Sequence, residues 1–201
     1  MEHAKFRRYP AKSNIIHFGD ICDTLYLLVK GQVTVFLERD DQREVIVSYV
    51  NVGDFFGELG LFNKEKNQER SAFVRAKTAC EVYELSYEDC YKVFKDIPEF
   101  FSEINNKIIN RLLETTQKVN NLAFLDVKNR VIEVLKNLCK QPDALTHPDG
   151  TQIKTTRQEI GRIANCSREM VGRVLKVMQE DGILYARGKT IVLYDKKTIK
   201  N

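Results

Sequence analysis

The chain reads as an α+β protein with three successive parts: a β-roll or barrel, one long helix, and a winged helix-turn-helix. Three observations predict this. Positions 12–85 hold short β-rich runs separated by turn residues. Positions 99–122 hold an apolar stripe of coiled-coil spacing. Positions 155–182 hold two short amphipathic segments joined by a tight turn, followed by two further β-rich runs. The expected divisions are 1–98, 99–125 and 126–201.

In the first part, "TLYLLVKG" (24–31), "QVTVFLE" (32–38), "EVIVSYV" (44–50), "SAFVRA" (71–76) and "CEVYELS" (80–86) are rich in Val, Leu, Tyr and Phe. Lys30-Gly31, "RDDQ" (39–42), Gly53-Asp54 and "KT" (77–78) punctuate them. Short strands at this spacing, paired antiparallel, close into a roll. The period then changes. "SYEDCYKVFKDI" (86–97) predicts a short helix that stops before Pro98. From Glu99, the positions Phe101, Ile104, Ile108, Leu112, Thr115, Val119 and Leu122 step by threes and fours. Such a narrow stripe fits a homodimer seam or a helix lying on its own β-roll. Asn120 and Asn121 suit an interruption, and Asp126 suits the N-cap of a helix over 127–140, before Pro142.

In the third part, Thr156 and Glu159 have the spacing of a capping box. "NCS" (165–167) supplies a turn, and Ser167 an N-cap. Met170, Val171, Val174, Leu175 and Met178 fall on one side of the second helix, which ends at Asp181-Gly182. Two helices joined this way have the helix-turn-helix layout. "ILYARGKTIVLYD" (183–195) predicts two strands around Arg187-Gly188-Lys189, a wing. In this layout the second helix presents its N-terminal residues to base edges in the DNA major groove. Those residues are Arg168 and Glu169, with Arg173 one turn on. Arginine can donate twice to guanine, and glutamate can accept from cytosine. The set therefore suits a half-site containing G·C pairs. Lys154, Thr156, Arg157 and Lys189 are candidates for phosphate contacts, which fix register without reading sequence. The bland alternative for Arg168, Glu169 and Arg173 is a solvated, salt-bridged helix face.

Composition agrees with this division. The 201 residues are 43% hydrophobic and 30% charged, as in ordinary globular proteins. Residues 1–121 carry 17 Lys and Arg against 19 Asp and Glu, while residues 122–201 carry 15 against 9. A basic C-terminal part beside a slightly acidic N-terminal part points to a polyanion partner for the former. No apolar run approaches the ~20 residues that span a membrane. "MEHAKFRRYP" lacks the apolar segment of a secretory signal. Cys22, Cys80, Cys90, Cys139 and Cys166 are scattered with no CxxC pair, so reduced thiols in a cytoplasmic protein are expected. His3, His17 and His147 lie far apart, and no catalytic set or metal-ligand spacing is present in the sequence. An enzyme is therefore not expected.

The stretch "GELGLFNKEKNQERSA" (57–72) carries an acid, a long polar loop, and an arginine beside a hydroxyl. It suits either a solvated loop or a pocket for a ligand with hydroxyls and a negative charge. Together with "GDFFGELGLF", "QERSAFVRAKTACEV", "NLAFLDV", "KQPDALTHPDG" and "TRQEIGRIANCSREMVGRVLK", it closely resembles the bacterial cyclic-AMP receptor protein family of the CRP/FNR superfamily. The resemblance runs nearly end to end. It implies a cyclic-nucleotide-binding β-roll, a long dimerisation helix, and a winged domain that binds palindromic promoter DNA as a homodimer.

The resemblance also implies roles for particular residues. Glu58 would hold the ribose hydroxyl, with Gly57 and Leu59 beside it. Arg70 and Ser71 would hold the cyclic phosphate of cyclic AMP. Arg111 and Thr115 would face the purine, and Thr116 would reach the ligand of the other subunit. The chemistry agrees: a phosphodiester anion suits a guanidinium with short donors, and a hydroxyl suits a carboxylate acceptor. RNA polymerase would be contacted by "ALTHPDG" (144–150), by a basic patch at Lys5 and Arg7, and by an acidic patch at Asp40, Asp41 and Glu44. Ligand binding would extend the helix through Asn120-Asn121 and reorient the DNA-binding part.

Four departures from the family pattern stand out: a loop about two residues longer between Phe62 and Gln68, threonine for serine at 116, asparagine for glycine at 120, and a shorter N-terminus. Keeping both Glu58 and Arg70 argues for cyclic AMP over a cyclic dinucleotide. Cys22 alone near the N-terminus argues against an iron–sulfur sensor.

Overall fold

The structure is a computed structural model that describes residues 4–41, 43–62 and 68–195. The longer 63–67 loop and Gln42 lie outside the described residues. The chain divides into two compact units, Met1–Thr116 and Gln117–Asn201.

The first unit holds two four-stranded antiparallel sheets. One has the order β1 (Lys5–Tyr9), β8 (Cys80–Ser86), β3 (Thr24–Lys30), β6 (Phe55–Phe56). The other has the order β2 (Asn14–Ile16), β7 (Phe73–Ala76), β4 (Val33–Glu38), β5 (Glu44–Val50). Their facing sides meet in one core of Ile16, Leu28, Val33, Val50, Phe56, Val74, Ala76, Cys80 and Val82. Neighbouring residues of a strand point to opposite faces. Thus β3 sends Tyr26 and Leu28 into this core, and Leu25 and Leu27 to a second one.

That second core is built with two helices, α1 (Tyr87–Asp96) and α2 (Pro98–Phe124). Leu25, Phe55, Leu61, Cys90 and Ile104 form its centre, with Leu85, Tyr87, Phe94, Phe100 and Ile108 against them. Ser86 caps α1 by accepting from the Asp89 amide at 3.1 Å. Proline takes the first position of α2, where its missing N–H costs nothing.

The five expected strands of the roll are present. β1, β6 and the pairing of β2 were not expected. β1 is an edge strand whose residues are mostly exposed and charged, so it shows no apolar alternation. Arg7 pairs with Glu84 at 2.9 Å and Arg8 with Glu81 at 3.4 Å, both across to β8. β6 has only two residues, too few for a periodic signal.

The apolar stripe divides between two settings along α2: its first turns pack on the roll, as one expectation had it, and its later turns are exposed. Ile104 is fully buried and Ile108 half-buried against the second core. Leu112 is 64% exposed, with Ile109 and Leu113 exposed beside it. Farther along the helix, Val119 is 61% exposed, and Leu122 is exposed too.

The expected interruption at Asn120-Asn121 does not occur, because α2 continues to Phe124. The Asn121 carboxamide accepts from Gln117 Nε2 at 2.9 Å, one helical turn back. This i, i+4 bond occupies the side chain that would otherwise compete for backbone groups.

The second unit is a three-helix cluster with a four-stranded sheet. Asp126 caps α3 (Val127–Leu138) by accepting from the Asn129 amide at 2.8 Å. The sheet has the order β11 (Leu184–Arg187), β12 (Thr190–Tyr194), β10 (Gly150–Lys154), β9 (Leu145–His147), all antiparallel. β9 and β10 turn the expected "ALTHPDG" loop into a hairpin. Buried Val131, Val134, Leu135 and Leu138 of α3 contribute to the interior with Ile160, Ala164, Val171, Val174, Leu175 and Met178. All five cysteines are free. Burial pushes the Cys90 thiol up to about 12, so it is an inert core group. No described helix is long and apolar enough to cross a membrane.

Candidate functional site

In the first unit, two charged side chains of the 57–71 stretch, Glu58 and Arg70, fold inward while Glu69 is exposed. Glu58 and Arg70 are each only 5% exposed. Arg70 Nη1 donates to the Gly57 carbonyl at 2.9 Å and to the Tyr87 hydroxyl at 3.2 Å. Its Nη2 donates to the Thr24 carbonyl at 2.9 Å, with Asp23 at 3.8 Å. The Arg70 guanidinium also lies over the rings of Tyr26 and Tyr87, with centroids at 5.8 Å and 5.9 Å. Its Nε has no hydrogen-bond partner among the described residues.

Gly57 has φ +76 and sits against this guanidinium. A Cβ there would lie 2.9 Å from Arg70 Nη1 and 3.1 Å from the Thr24 carbonyl oxygen. Glycine is thus required twice, by backbone conformation and by space.

Glu58 opens a single 3-10 turn, Leu59–Leu61, on which Leu59 is exposed. Arg111 of α2 reaches the same place. Its Nη1 donates to Glu58 Oε1 at 2.7 Å, and its Nη2 donates to the Phe55 carbonyl. Glu58 Oε2 takes no hydrogen bond from the described residues. One turn earlier on α2, Lys107 Nζ is 2.6 Å from Asp54 Oδ1.

The structure therefore brings Gly57, Glu58, Arg70 and Arg111 together. Ser71 adjoins them in sequence and is exposed. Thr115 and Thr116 are exposed on α2, and the Thr116 hydroxyl donates to the Leu112 carbonyl at 2.9 Å.

Sequence reasoning missed the residues that hold Arg70. Tyr87 donates to the Gly57 carbonyl at 2.5 Å. Burial pushes its phenol well above the ordinary range, and Arg70 only partly opposes this, so the group stays a neutral donor. The Thr24, Gly57 and Phe55 carbonyls are backbone groups. No residue identity announces them.

In the second unit, Thr156 caps α4 (Arg157–Ala164) by accepting from the Glu159 amide at 3.0 Å. The capping box is only half as drawn from the sequence, since the Glu159 carboxylate accepts from the Thr155 hydroxyl at 3.2 Å. The turn follows with Asn165 in the left-handed region, φ 51. The Cys166 amide donates to the Gly161 carbonyl at 3.0 Å. A Cβ on Gly161 would lie 2.6 Å from the Cys166 carbonyl oxygen, so a larger residue would push the turn off the helix.

Ser167 then caps α5 (Arg168–Glu180), accepting from the Met170 amide at 3.2 Å. Val171, Val174, Leu175 and Met178 are buried, which turns Arg168, Glu169 and Arg173 outward. These three make no side-chain ion pair or hydrogen bond with described residues. The salt bridges weighed from the sequence are thus absent at these three residues among the described ones, while Lys176 and Glu180 pair at 3.8 Å farther along α5. Exposed Lys189 sits in the two-residue turn between β11 and β12, and its carbonyl accepts from the Thr155 amide at 2.8 Å. The wing tip is thereby tied to the start of α4, beside Thr156 and Arg157.

The expected polymerase patches are partly self-neutralised. Asp41 is 2.7 Å from Arg43 and Glu44 is 2.9 Å from Arg75. Arg7 pairs with Glu84, as above. His147 Nδ1 accepts from the Asp149 amide at 3.2 Å across the β9–β10 turn.

A β-roll that buries Glu58 and Arg70, in one chain with a winged helix-turn-helix, defines a ligand-responsive DNA-binding regulator. The match to known proteins is specific. Residues 6–96 match the cyclic nucleotide-binding domain and residues 129–201 match the Crp-like helix-turn-helix domain. The chain is 55% identical to the cAMP-activated global transcriptional regulator Vfr of Pseudomonas aeruginosa, over 96% of this chain and 91% of that one. It is 52% identical to the cAMP-activated global transcriptional regulator CRP of Salmonella typhimurium, over the same shares.

Among solved structures, the c-di-GMP-responsive global regulator CLP of Xanthomonas campestris has a TM-score of 0.88 at 44% identity. That match covers 97% of this chain and 96% of CLP. The chain belongs to the CRP/FNR family of transcription regulators. Its N-terminal domain takes a cyclic nucleotide, its C-terminal domain binds DNA, and its homologues are regulators, not enzymes.

Proposed function

We propose that this chain is a homodimeric, cyclic-AMP-responsive regulator that reads a palindromic promoter site and contacts RNA polymerase. The observation that carries the reading is the meeting of Glu58, Arg70 and Arg111 around Gly57. Glu58 keeps Oε2 as an acceptor for a ribose hydroxyl, while Arg111 neutralises the buried carboxylate through Oε1. Arg70 is held by backbone carbonyls, its Nε has no partner among the described residues, and with Ser71 it receives the cyclic phosphate. Leu59 borders the sugar. Arg111 and Thr115 lie toward the purine, and Thr116 serves the ligand of the second subunit. Exposed Ile109, Leu112, Leu113, Val119 and Leu122 are the apolar surface that a second α2 would cover.

At the output, Arg168, Glu169 and Arg173 read bases from the start of α5. Ser167 fixes that start as its cap. Thr156, Arg157 and Lys189 hold phosphates. The β9–β10 hairpin around Thr146 and His147 is the polymerase surface. Nucleotide shifts DNA affinity only by favouring one arrangement of the domains over another.

The test is a titration of a palindromic DNA site at fixed salt, with cyclic AMP, cyclic GMP or cyclic di-GMP. The expected result is tighter DNA binding with cyclic AMP. A response to cyclic di-GMP and not to cyclic AMP would group this chain with c-di-GMP-responsive regulators such as CLP. Equal DNA affinity under all conditions would overturn the proposal. In vitro transcription with Thr146→Ala tests the polymerase contact: activation is lost while DNA binding is retained.

A further inference from the structure

We propose that Lys107 is a positioning residue for the nucleotide response, holding the 54–58 loop against α2 through its ion pair with Asp54. The proposal rests on the reading of the β-roll as a nucleotide site. Ile104, Lys107, Ile108 and Arg111 share one face of α2 by their spacing of threes and fours. That face grips the loop at three points. The Phe100 ring meets Phe55 edge-on, with centroids 5.4 Å apart, and Ile104 shares a core with Phe55 and Leu61. Arg111 holds the Phe55 carbonyl and Glu58. Lys107 holds Asp54 at 2.6 Å, with both side chains only about one third exposed (34% and 28%).

Asp54 is itself anchored. Its amide donates to the Asn51 carbonyl at 3.1 Å, and its carbonyl accepts from the Leu28 amide of β3 at 3.0 Å. Lys107 therefore ties α2 to the sheet and not to a loose side chain.

The two ion pairs differ in what the ligand does to them. Glu58 and Arg111 belong to the proposed sugar and purine contacts, so the ligand meets that pair directly. Asp54 and Lys107 are outside every proposed ligand contact. Their pair keeps α2 in register with the loop whether or not the ligand engages the other pair. A loop already held in place loses less freedom when it binds, which is the benefit of preorganisation. Partial shielding from water makes such a pair stronger than an exposed one.

The test compares the parent protein with Lys107→Met, which keeps the apolar stem, and with the swapped pair Lys107→Asp/Asp54→Lys. Without nucleotide, Lys107→Met should speed hydrogen exchange at the amides of residues 55–58 and leave those of β8 unchanged. Its cyclic AMP affinity should weaken about three- to tenfold, as expected for loss of one partly shielded pair. Its DNA affinity at saturating nucleotide should stay within about twofold of the parent. The swapped pair should restore both exchange and affinity. Unchanged exchange at 55–58 in Lys107→Met, or no recovery in the swap, would overturn the proposal. Failure of the parent itself to respond to cyclic AMP would instead sink the nucleotide reading, and the exchange comparison would still decide the role of Lys107.

Discussion

The ligand loop and the recognition helix use the same chemical groups in opposite ways. Each has an arginine, a second arginine nearby, a glutamate and a serine: Arg70, Arg111, Glu58 and Ser71 in one, Arg168, Arg173, Glu169 and Ser167 in the other. In the loop the charges are buried and already partnered, Arg70 by two carbonyls and Glu58 by Arg111. On the helix they are exposed, with no partner among the described residues. A site that must recognise one small anion gains from fixed, dehydrated groups whose geometry is set in advance. A surface that must meet a polyanion gains from charges that remain hydrated and free until contact. The same residue types therefore couple function to stability in the loop and separate them on the helix.

The sharpest way to break this comparison is Arg70→Met. Removing the guanidinium takes its bond from the Thr24 carbonyl and one of two from the Gly57 carbonyl, which keeps the Tyr87 hydroxyl. We expect a stability loss of about 1–3 kcal/mol, the cost of a buried group left unsatisfied. Nucleotide affinity should also fall by roughly a hundredfold or more, given charge-assisted bonds worth about twice neutral ones. Calorimetric titration and urea unfolding measure the two effects together. A stable Arg70→Met protein would show that the loop does not couple function to stability.

Arg168→Ala is the opposite case. Its unfolding free energy should stay within about 0.5 kcal/mol of the parent, as for surface positions generally. Site-specific DNA binding should weaken by about 1–3 kcal/mol, and discrimination at the contacted base pair should relax. Competition between matched and mismatched sites at one salt concentration reads this directly. A uniform loss across all sequences would mean that Arg168 only meets phosphate.

Gly57→Ala sharpens the comparison within the loop. It forces a side chain into a left-handed backbone and against Arg70, so we expect about 1–2 kcal/mol of destabilisation. Nucleotide affinity should drop with it, while DNA binding without nucleotide stays unchanged. The smallest effect is expected for Ser167→Ala. Loss of that N-cap costs about 1 kcal/mol in the second unit. It should show as a lower unfolding midpoint with no change in nucleotide affinity. If nucleotide affinity changed as well, α5 and the loop would share more than a chain.

Much of this was legible in the sequence. The strands of the two sheets alternate as two-sided sheets require, and Asp126, Thr156 and Ser167 each cap the helix that their position announced. Local patterns carry this information because caps and strand faces depend on neighbours within a few residues. The edge strand β1 was not legible, because its partners Glu81 and Glu84 lie more than seventy residues away along the chain. The uninterrupted path of α2 through Asn120-Asn121 was misread, because the bond from Gln117 that permits it is a matter of rotamer choice.

The sequence by itself determined the order of roll, long helix and winged domain, the outward set on α5, and the presence of an acid and an arginine together in the 57–71 stretch. Only the tertiary structure decided how that acid and arginine are held. Arg111 and Lys107 reach the loop from α2, more than fifty residues farther along the chain. The Arg70 guanidinium is held by two backbone carbonyls and by Tyr87, which lies seventeen residues on. Periodicity and capping are short-range and leave marks in neighbouring residues. The partners of a buried charge are set by which distant backbone groups the fold brings within hydrogen-bonding distance, and carbonyls leave no mark in the sequence at all.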